Sequence, residues 1–316
     1  MSAKQIGFTA AVLFGWLALA LGAWAEDDSF VRLHQDGKNA ALQTAYATYR
    51  SPDSKVEIVL YGAVHIADAE YYQRVQSDLD SFDTVLYELV KPENPETQPT
   101  EEMKSLGELQ KTMGELLGLS FQKDGIDYTR KHFVHADMTF EEFQAALGPD
   151  SGGLSPFGGL IDGKTLARLM PILKMAAQFG KALMDGNPEM RDGLKLQLAG
   201  QLSNVKNIEQ QLGQKMAQVI LQQRNEVAMK VLASQLEKQK EGTIGIFYGA
   251  AHLPDFDARL RALGYEPVEK KWVSAWQIGG GIPSDPPASR EATPRAVEEN
   301  EEELVPAGSE DGKTWY

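Results

Sequence analysis

The chain contains no cysteine among its 316 residues. This absence excludes a disulfide framework and lipid attachment at a cysteine. Because 42% of the residues are hydrophobic, a chain of this length can still bury a large core without cross-links. We therefore expect one packed core, alone or with a helical subdomain.

Clusters of positive charge are also lacking. The formal net charge is −14, whereas nucleic-acid binding requires grouped Lys and Arg side chains that neutralise phosphates. Nucleic acid is therefore excluded as a partner.

Apolar periodicity is missing from residues 279–316, which are rich in Gly, Pro, Ser and Glu. This composition predicts a disordered acidic tail.

The first residues have the pattern of a secretory signal. Lys4 precedes an apolar run over residues 6–22, and Ala23-Trp24-Ala25 is a small-x-small cleavage pattern. We therefore predict a signal peptide over residues 1–25. The apolar run is close to the roughly 20 residues that span a bilayer, so an uncleaved membrane anchor is the alternative. Either alternative places the folded part outside the cytoplasm, in the periplasm or secreted.

The rest of the chain contains two matching segments: Tyr-Gly-Ala-Val-His, which ends at His65, and Tyr-Gly-Ala-Ala-His, which ends at His252. Each follows a β-rich run, and each precedes a helix for which Asp68 or Asp255 is the expected N-cap. Residues 26–278 are thus predicted to form an α/β domain. Its sheet is expected to be mainly parallel and built from two related strand-GxxH-helix-strand halves.

A large helical insert is predicted between the two halves, over about residues 101–240. Its last helix carries an apolar stripe that also includes Arg224; the apolar members are Ile208, Leu212, Met216, Ile220, Val227 and Val231. A charge on the inward side requires a carboxylate or a ligand, unless the side chain reaches past the stripe to solvent. The loop over residues 151–159 lacks a phosphate-binding pattern and is interpreted as a connection or a mobile lid. The helices are expected over residues 102–117, 139–147, 164–179 and 205–236.

The predicted site lies beyond the carboxyl ends of the strands, where parallel sheets bind ligands. His65 and His252 follow two such ends, and Glu88 ends the strand after the first unit. Two imidazoles and a carboxylate are typical ligands of a catalytic metal. The same residues could also work without metal, with one His as general base and Glu88 orienting it. Gly62 and Gly249 would let the backbone turn and approach a ligand.

Other polar residues are weaker candidates. His132 and His135 are three residues apart, but a loop or strand does not fix them on one face. Asp137 could enter the crevice, although an ordinary turn role is favoured. His34 lies in a predicted strand that leads into a turn and is expected to be structural. Tyr61 and Tyr248 are expected to be buried against the adjoining helices.

Together, the two GxxH motifs, the Leu-Tyr-Glu ending at Glu88, and Arg224-Asn225 resemble the TraB/PrgY/GumN family, which includes the Tiki proteases. The resemblance covers roughly residues 30–273. It implies an α/β fold related to ChaN-like and erythromycin-esterase-like proteins, with a site of two His, the Glu and the Arg. Asn225 would add a hydrogen-bond donor. The Tiki branch implies a metal-dependent peptidase that uses manganese or cobalt, and the ChaN-like relatives imply haem binding.

The leading hypothesis is a metal-dependent, peptidase-like hydrolase of the cell envelope that acts on a peptide or small molecule. His65, Glu88 and His252 would hold the metal, while Arg224 would bind a substrate carboxylate or stabilise negative charge. Asn225, Gly62 and Gly249 would contact the substrate. The alternatives are a haem, metal or peptide-binding protein without turnover, and an interaction module that uses the helical insert. The sequence indicates no oligomeric state.

Overall fold

The structure, a computed structural model, describes residues 29–94, 101–148, 163–204 and 214–286. The predicted signal peptide, the loop over residues 151–159 and the tail beyond residue 286 lie outside these ranges. Within them, no helix combines the length and the apolar character needed to cross a membrane.

A seven-stranded mixed sheet forms the centre of the fold, in the order β1-β2-β3-β8-β5-β7, with β9 paired to β2. The neighbours from β3 to β7 are all parallel, whereas β2 is antiparallel to β1, β3 and β9. Every strand of this sheet except β2 therefore runs in one direction. A second pair, β4 and β6, is separate. The strands are β1 (Val31–Asp36), β2 (Asn39–Ser51), β3 (Ser54–Ala63), β4 (Ile66–Ala67), β5 (Thr84–Tyr87), β6 (Ser120–Phe121), β7 (Phe133–His135), β8 (Glu241–Gly249) and β9 (Glu266–Ile278).

Helices connect the strands and cover the sheet. The predicted helices near residues 102–117, 139–147 and 164–179 are confirmed, and the third is longer than expected. The helices are α1 (Ala69–Asp80), α2 (Glu101–Leu117), α3 (Gln122–Gly125), α4 (Phe140–Leu147), α5 (Gly163–Asp185), α6 (Pro188–Leu202), α7 (Gln214–Ala217), α8 (Arg224–Lys238) and α9 (Leu253–Ala262). A π-helical turn, Gln218–Gln223, joins α7 to α8, and a 3-10 turn, Ala250–His252, precedes α9.

The core has two layers, one on each face of the sheet. Alternate strand residues point to opposite faces, so each buried strand contributes to both layers. On one face, α1 buries its apolar side against the strands with Tyr71, Tyr72, Val75 and Leu79. On the other face, α8 and α9 contribute Ala228, Leu232, Leu253, Phe256 and Leu260. The result is an α/β fold with helices on both sides of the sheet.

The two predicted halves occupy different places in the sheet. β3 and β5 both run parallel to β8, but β8 lies between them. The last strand, β9, does not lie beside β8 and pairs with β2 instead. The α/β class and the predominance of one strand direction are confirmed, whereas the halves are not equivalent in their pairing.

One of the two predicted caps agrees with the structure. Asp68 is the N-cap residue of α1, as predicted, although its side chain makes no cap hydrogen bond and accepts one from the Gln277 backbone N–H at 2.6 Å. Helix α9 begins at Leu253, so Asp255 lies in its first turn and is not the N-cap. The predicted N-cap position is therefore confirmed for Asp68 and wrong for Asp255.

The helical insert and the tail also need correction. The insert contains β7, which pairs with β5 at the edge of the main sheet, so it is not a purely helical subdomain.

The sequence predicts a disordered tail from Gly279, but residues 279–286 turn back along β9. There, the Trp272 backbone N–H donates to Asp285 at 2.9 Å and the Ser274 backbone N–H donates to Ser284 at 2.9 Å.

Gly245 in the central strand β8 provides a test of the packing. A Cβ added there would lie 2.5 Å from Cδ2 of the buried Phe82 ring. We expect Gly245→Ala to lower the free energy of unfolding in urea by about 1–3 kcal/mol, because the ring must move within a packed layer. Gly107 in α2 is the control, since a Cβ there meets nothing within 4 Å. Gly107→Ala should raise stability by up to about 1 kcal/mol. Equal urea midpoints for the two variants would contradict this packing.

Candidate functional site

Arg224 begins helix α8 directly after the π-helical turn Gln218–Gln223. A π-turn inserts one residue and so changes which side of the following helix faces inward. The predicted stripe members Ile220, Val227 and Val231 are only half-buried. The buried face instead consists of Leu221, Arg224, Asn225, Ala228 and Leu232. The inward position of Arg224 is thus confirmed, although the rest of the stripe is displaced.

The Arg224 guanidinium lies between two carboxylates. Its Nε and Nη2 donate to the Asp137 carboxylate at 2.9 and 2.6 Å, and Nη2 also donates to Glu88 Oε1 at 2.8 Å. The Arg224 side chain is only 9% exposed. The prediction that Arg224 meets a carboxylate is therefore confirmed, and the alternative that it reaches solvent is wrong. Burial alone would lower the pKa of Arg224, but the charges of Glu88 and Asp137 raise it above its usual value.

Asp137 is the residue of this cluster that sequence reasoning underrated. It follows β7 and is fully covered, and its Oδ1 also accepts from the Met138 backbone N–H at 2.8 Å. The helix after it, α4, begins with a complete capping box at Thr139 and Glu142. Asp137 could be noticed in the sequence as an acidic residue directly after a short apolar stretch, which is the pattern of a strand's carboxyl end.

Glu88 follows β5, and its backbone N–H continues the ladder by donating to the Phe247 carbonyl at 3.1 Å. Its Oε2 accepts from the Gly249 backbone N–H at 2.6 Å. Burial raises the pKa of the Glu88 carboxyl, but Arg224, the two histidines and the Gly249 N–H together lower it to about 2. Glu88 is therefore ionised at neutral pH.

The two motif glycines have different roles. A Cβ at Gly249 would lie 3.3 Å from Glu88 Oε2 and 3.6 Å from the His252 ring, so glycine leaves room for these side chains. A Cβ at Gly62 would lie 3.0 Å from the Ala45 carbonyl oxygen and 3.3 Å from Ala250. Close packing alone therefore explains why residue 62 is a glycine. Gly249 adjoins Glu88 and His252, whereas Gly62 adjoins Ala45 and Ala250.

His252 ends the 3-10 turn and is 4% exposed. Its ring packs edge-on against Tyr248 with centroids 5.2 Å apart, and its Nδ1 lies 2.7 Å from Asn225 Oδ1. Burial lowers the pKa of His252 to about 4, although Glu88 acts in the opposite direction. The imidazole is therefore neutral at neutral pH and carries one ring proton.

Asn225 determines which ring nitrogen carries that proton. The amide is fully buried, and its Nδ2 donates to the His252 carbonyl at 3.0 Å and to Asp255 Oδ2 at 2.8 Å. The amide oxygen must then face His252 Nδ1, so Nδ1 donates the proton. Asn225 thus donates to two groups of the protein itself, and the expectation that it contacts a substrate stays a prediction. His252 Nε2 is left with a lone pair.

That lone pair faces Glu88. His252 Nε2 lies 3.6 Å from Glu88 Oε1, which is too long for a direct hydrogen bond. Neither atom carries a proton to donate to the other, and Glu88 Oε1 also accepts from Arg224, so a cation or a donor between the two atoms can bind both. Among the described residues, the two carboxylates Glu88 and Asp137 pair with one guanidinium, which gives this cluster one surplus negative charge.

His65 is not equivalent to His252. In the parallel pairing of β3 with β8, Gly62 lies level with Tyr248 and Ala63 with Gly249, so the motifs are offset by one residue. Because side chains alternate along a strand, this offset places equivalent residues of the two motifs on opposite faces of the sheet. His65 is exposed, and its backbone carbonyl accepts from the Gln122 N–H at 2.8 Å. It remains within electrostatic reach of Glu88 and His252, since its charge influences the pKa of each.

The donor set fits a metal in part. Within residues 29–94, 101–148, 163–204 and 214–286, no group of three His, Asp or Glu side chains is placed to hold an ion. However, two donors of one tetrahedral ion lie about 3.4 Å apart when each bond is about 2.1 Å. The separation of 3.6 Å between His252 Nε2 and Glu88 Oε1 is close to that value. These two atoms fit an ion, and His65 is the remaining predicted ligand.

The weaker candidates have ordinary surroundings. His132 and His135 lie 3.3 and 2.6 Å from the carbonyl oxygens of Leu79 and Leu89. His34 is exposed in β1, where a strand was predicted. Tyr61 is buried and donates to Asp78 of α1 at 3.0 Å, and Tyr248 packs on Phe256 of α9, so the expected burial against helices is confirmed.

No family model matches this chain, and no match was found among curated proteins or solved structures. The resemblance to the TraB/PrgY/GumN family therefore rests on the sequence motifs alone.

Asp137→Asn tests the buried ion cluster. The substitution preserves the shape of the side chain but removes one of the two charges that balance Arg224. We expect the free energy of unfolding to fall by about 3 kcal/mol, because a buried guanidinium loses a partner. Glu226→Gln in the same helix is the control, since Glu226 is 53% exposed and lies 3.9 Å from Arg259. It should change stability by no more than about 0.5 kcal/mol. Equal urea midpoints for both variants would show that Asp137 does not balance Arg224.

Proposed function

We propose that this protein is a metal-dependent hydrolase whose cation is held by His252 Nε2 and Glu88, with His65 as a further ligand. The main support is that a neutral imidazole lone pair and an ionised carboxylate face each other at 3.6 Å. The uncompensated negative charge of the cluster also favours a cation. Both donors are in the protonation states that metal binding requires at neutral pH.

A bound divalent metal would supply a water of lowered pKa and would polarise a substrate carbonyl. The chain's own residues prepare that chemistry. Arg224 and the Gly249 N–H hold the Glu88 carboxylate on two sides, and Asn225 holds the His252 ring. Hydrogen bonds of this kind orient metal ligands and tune their basicity.

We propose a positioning role for Arg224 in place of the substrate-binding role expected from the sequence. Its Nε and Nη2 already donate to Asp137 and Glu88, so these donors do not face a substrate carboxylate. We therefore assign Arg224 to positioning Glu88. A peptide substrate, an envelope location, and manganese or cobalt as the metal are proposed from the family resemblance.

Metal binding is the first test. Titration calorimetry of the metal-stripped protein with Mn²⁺ and Co²⁺ should show one site. His252→Ala and Glu88→Gln should each weaken binding by at least about 100-fold, because they remove a ligand and not only its support. His132→Ala is the matched control, since the His132 ring contacts the Leu79 carbonyl and the Phe133 ring. Wild-type affinity in both ligand variants would contradict the site.

Hydrolysis is the second test. The wild-type protein with Mn²⁺ or Co²⁺ should cleave members of a peptide library, and His65→Ala, Glu88→Gln and His252→Ala should lose that cleavage. Metal binding without cleavage by the wild type would instead favour a binding protein. A Soret band after addition of haem, lost in His65→Ala, would identify haem as the ligand, because His65 is the exposed histidine of the site.

A further inference from the structure

The proton position on His252 depends on the orientation of one buried amide. An asparagine amide can rotate by half a turn at little cost, which would exchange its oxygen and nitrogen. Rotated in that way, Asn225 would donate to His252 Nδ1 and move the ring proton to Nε2. The lone pair facing Glu88 would then be lost. Whatever fixes the amide therefore determines whether Nε2 can bind a cation.

Asp255 is in a position to fix it. Asp255 Oδ2 accepts from Asn225 Nδ2 at 2.8 Å, and the same oxygen accepts from Arg259 Nε at 2.6 Å. An ionised carboxylate only accepts hydrogen bonds, so it selects the nitrogen side of the amide. The His252 carbonyl, 3.0 Å from Asn225 Nδ2, selects the same side. Arg259 in turn holds the carboxylate in place from the next turn of α9.

We infer that Asp255, supported by Arg259, is a positioning residue of the site. It orients the Asn225 amide so that the His252 ring carries its proton on Nδ1 and presents Nε2 to Glu88. Asp255 contacts neither Glu88 nor His252 Nε2 and acts only through Asn225. The use of that lone pair rests on the proposed function, whereas the proton position does not.

Helix α9 contains an internal comparison for this inference. Asp257 pairs with Arg261 at 3.0 Å, four residues apart, as Asp255 pairs with Arg259 at 2.6 Å. Both pairs stabilise the helix in the same way. However, Asp257 accepts a further hydrogen bond from the Tyr49 hydroxyl of β2, whereas Asp255 accepts one from Asn225. If the Asp255→Ala and Asp257→Ala variants both changed the proton position on His252, the cause would be the stability of the helix. A change in Asp255→Ala alone would show that the Asn225 amide has lost its orientation.

The experiment reads the His252 proton directly by NMR of the full folded chain with ¹⁵N-labelled histidine, stripped of metal at neutral pH. In the wild type, His252 Nδ1 should be protonated and Nε2 should not. Asn225→Ala should abolish that preference. Asp255→Ala should raise the ratio of the Nε2-protonated to the Nδ1-protonated form by about fivefold or more. Asp255→Asn keeps an acceptor oxygen that Arg259 can hold toward Asn225 Nδ2, so it should shift the ratio less than Asp255→Ala does. Asp257→Ala should leave it unchanged.

The outcomes separate this inference from the proposed function. A wild-type ratio in Asp255→Ala would overturn the positioning role, even if the protein binds metal. An equal shift in Asp257→Ala would also overturn it, because the cause would then be general loosening of α9. A shift confined to the Asp255 and Asn225 variants supports it. That support would stand even if the wild type neither bound Mn²⁺ nor cleaved peptides, in which case only the hydrolase proposal fails.

Discussion

The buried guanidinium of Arg224 is the constraint on which the site depends. Removing such a charge from water is costly, and the cost is offset only when carboxylates surround it in good geometry. Asp137 and Glu88 provide them from the ends of β7 and β5, while Arg224 comes from α8. One ion cluster therefore joins the sheet edge to the helix that covers it. Because these strands are neighbours in the sheet, their order is a condition for the cluster.

The surplus negative charge links this structural cluster to the proposed chemistry. Glu88 is shared: one oxygen accepts from Arg224, and the other accepts from the Gly249 N–H. The carboxylate is thereby held ionised beside the neutral His252 ring. A second network, from Arg259 through Asp255 and Asn225, holds that ring from the opposite side. Both ligands of the proposed site are thus held in place by polar contacts within the protein.

Local patterns in the sequence predicted much of this arrangement, and long-range pairing accounts for what they missed. Strand ends and an inward stripe depend on neighbours along the chain, so Glu88, His252 and Arg224 could be found from the sequence. The role of Asp137 depends on β7 joining the sheet beside β5, which no local pattern reports. The one-residue offset between the histidine motifs is set by pairing of β3 with β8. The π-turn before Arg224 likewise has no sequence signature that periodicity could detect.

The proposal that His252 Nε2 and Glu88 Oε1 share a cation can be tested by anomalous diffraction from crystals of the protein grown with Mn²⁺. One strong anomalous peak is expected within about 2.3 Å of both atoms. The Asn225 amide should keep its present orientation in that crystal. Manganese bound only elsewhere, or a direct hydrogen bond from His252 Nε2 to Glu88 with no ion between them, would contradict the shared cation.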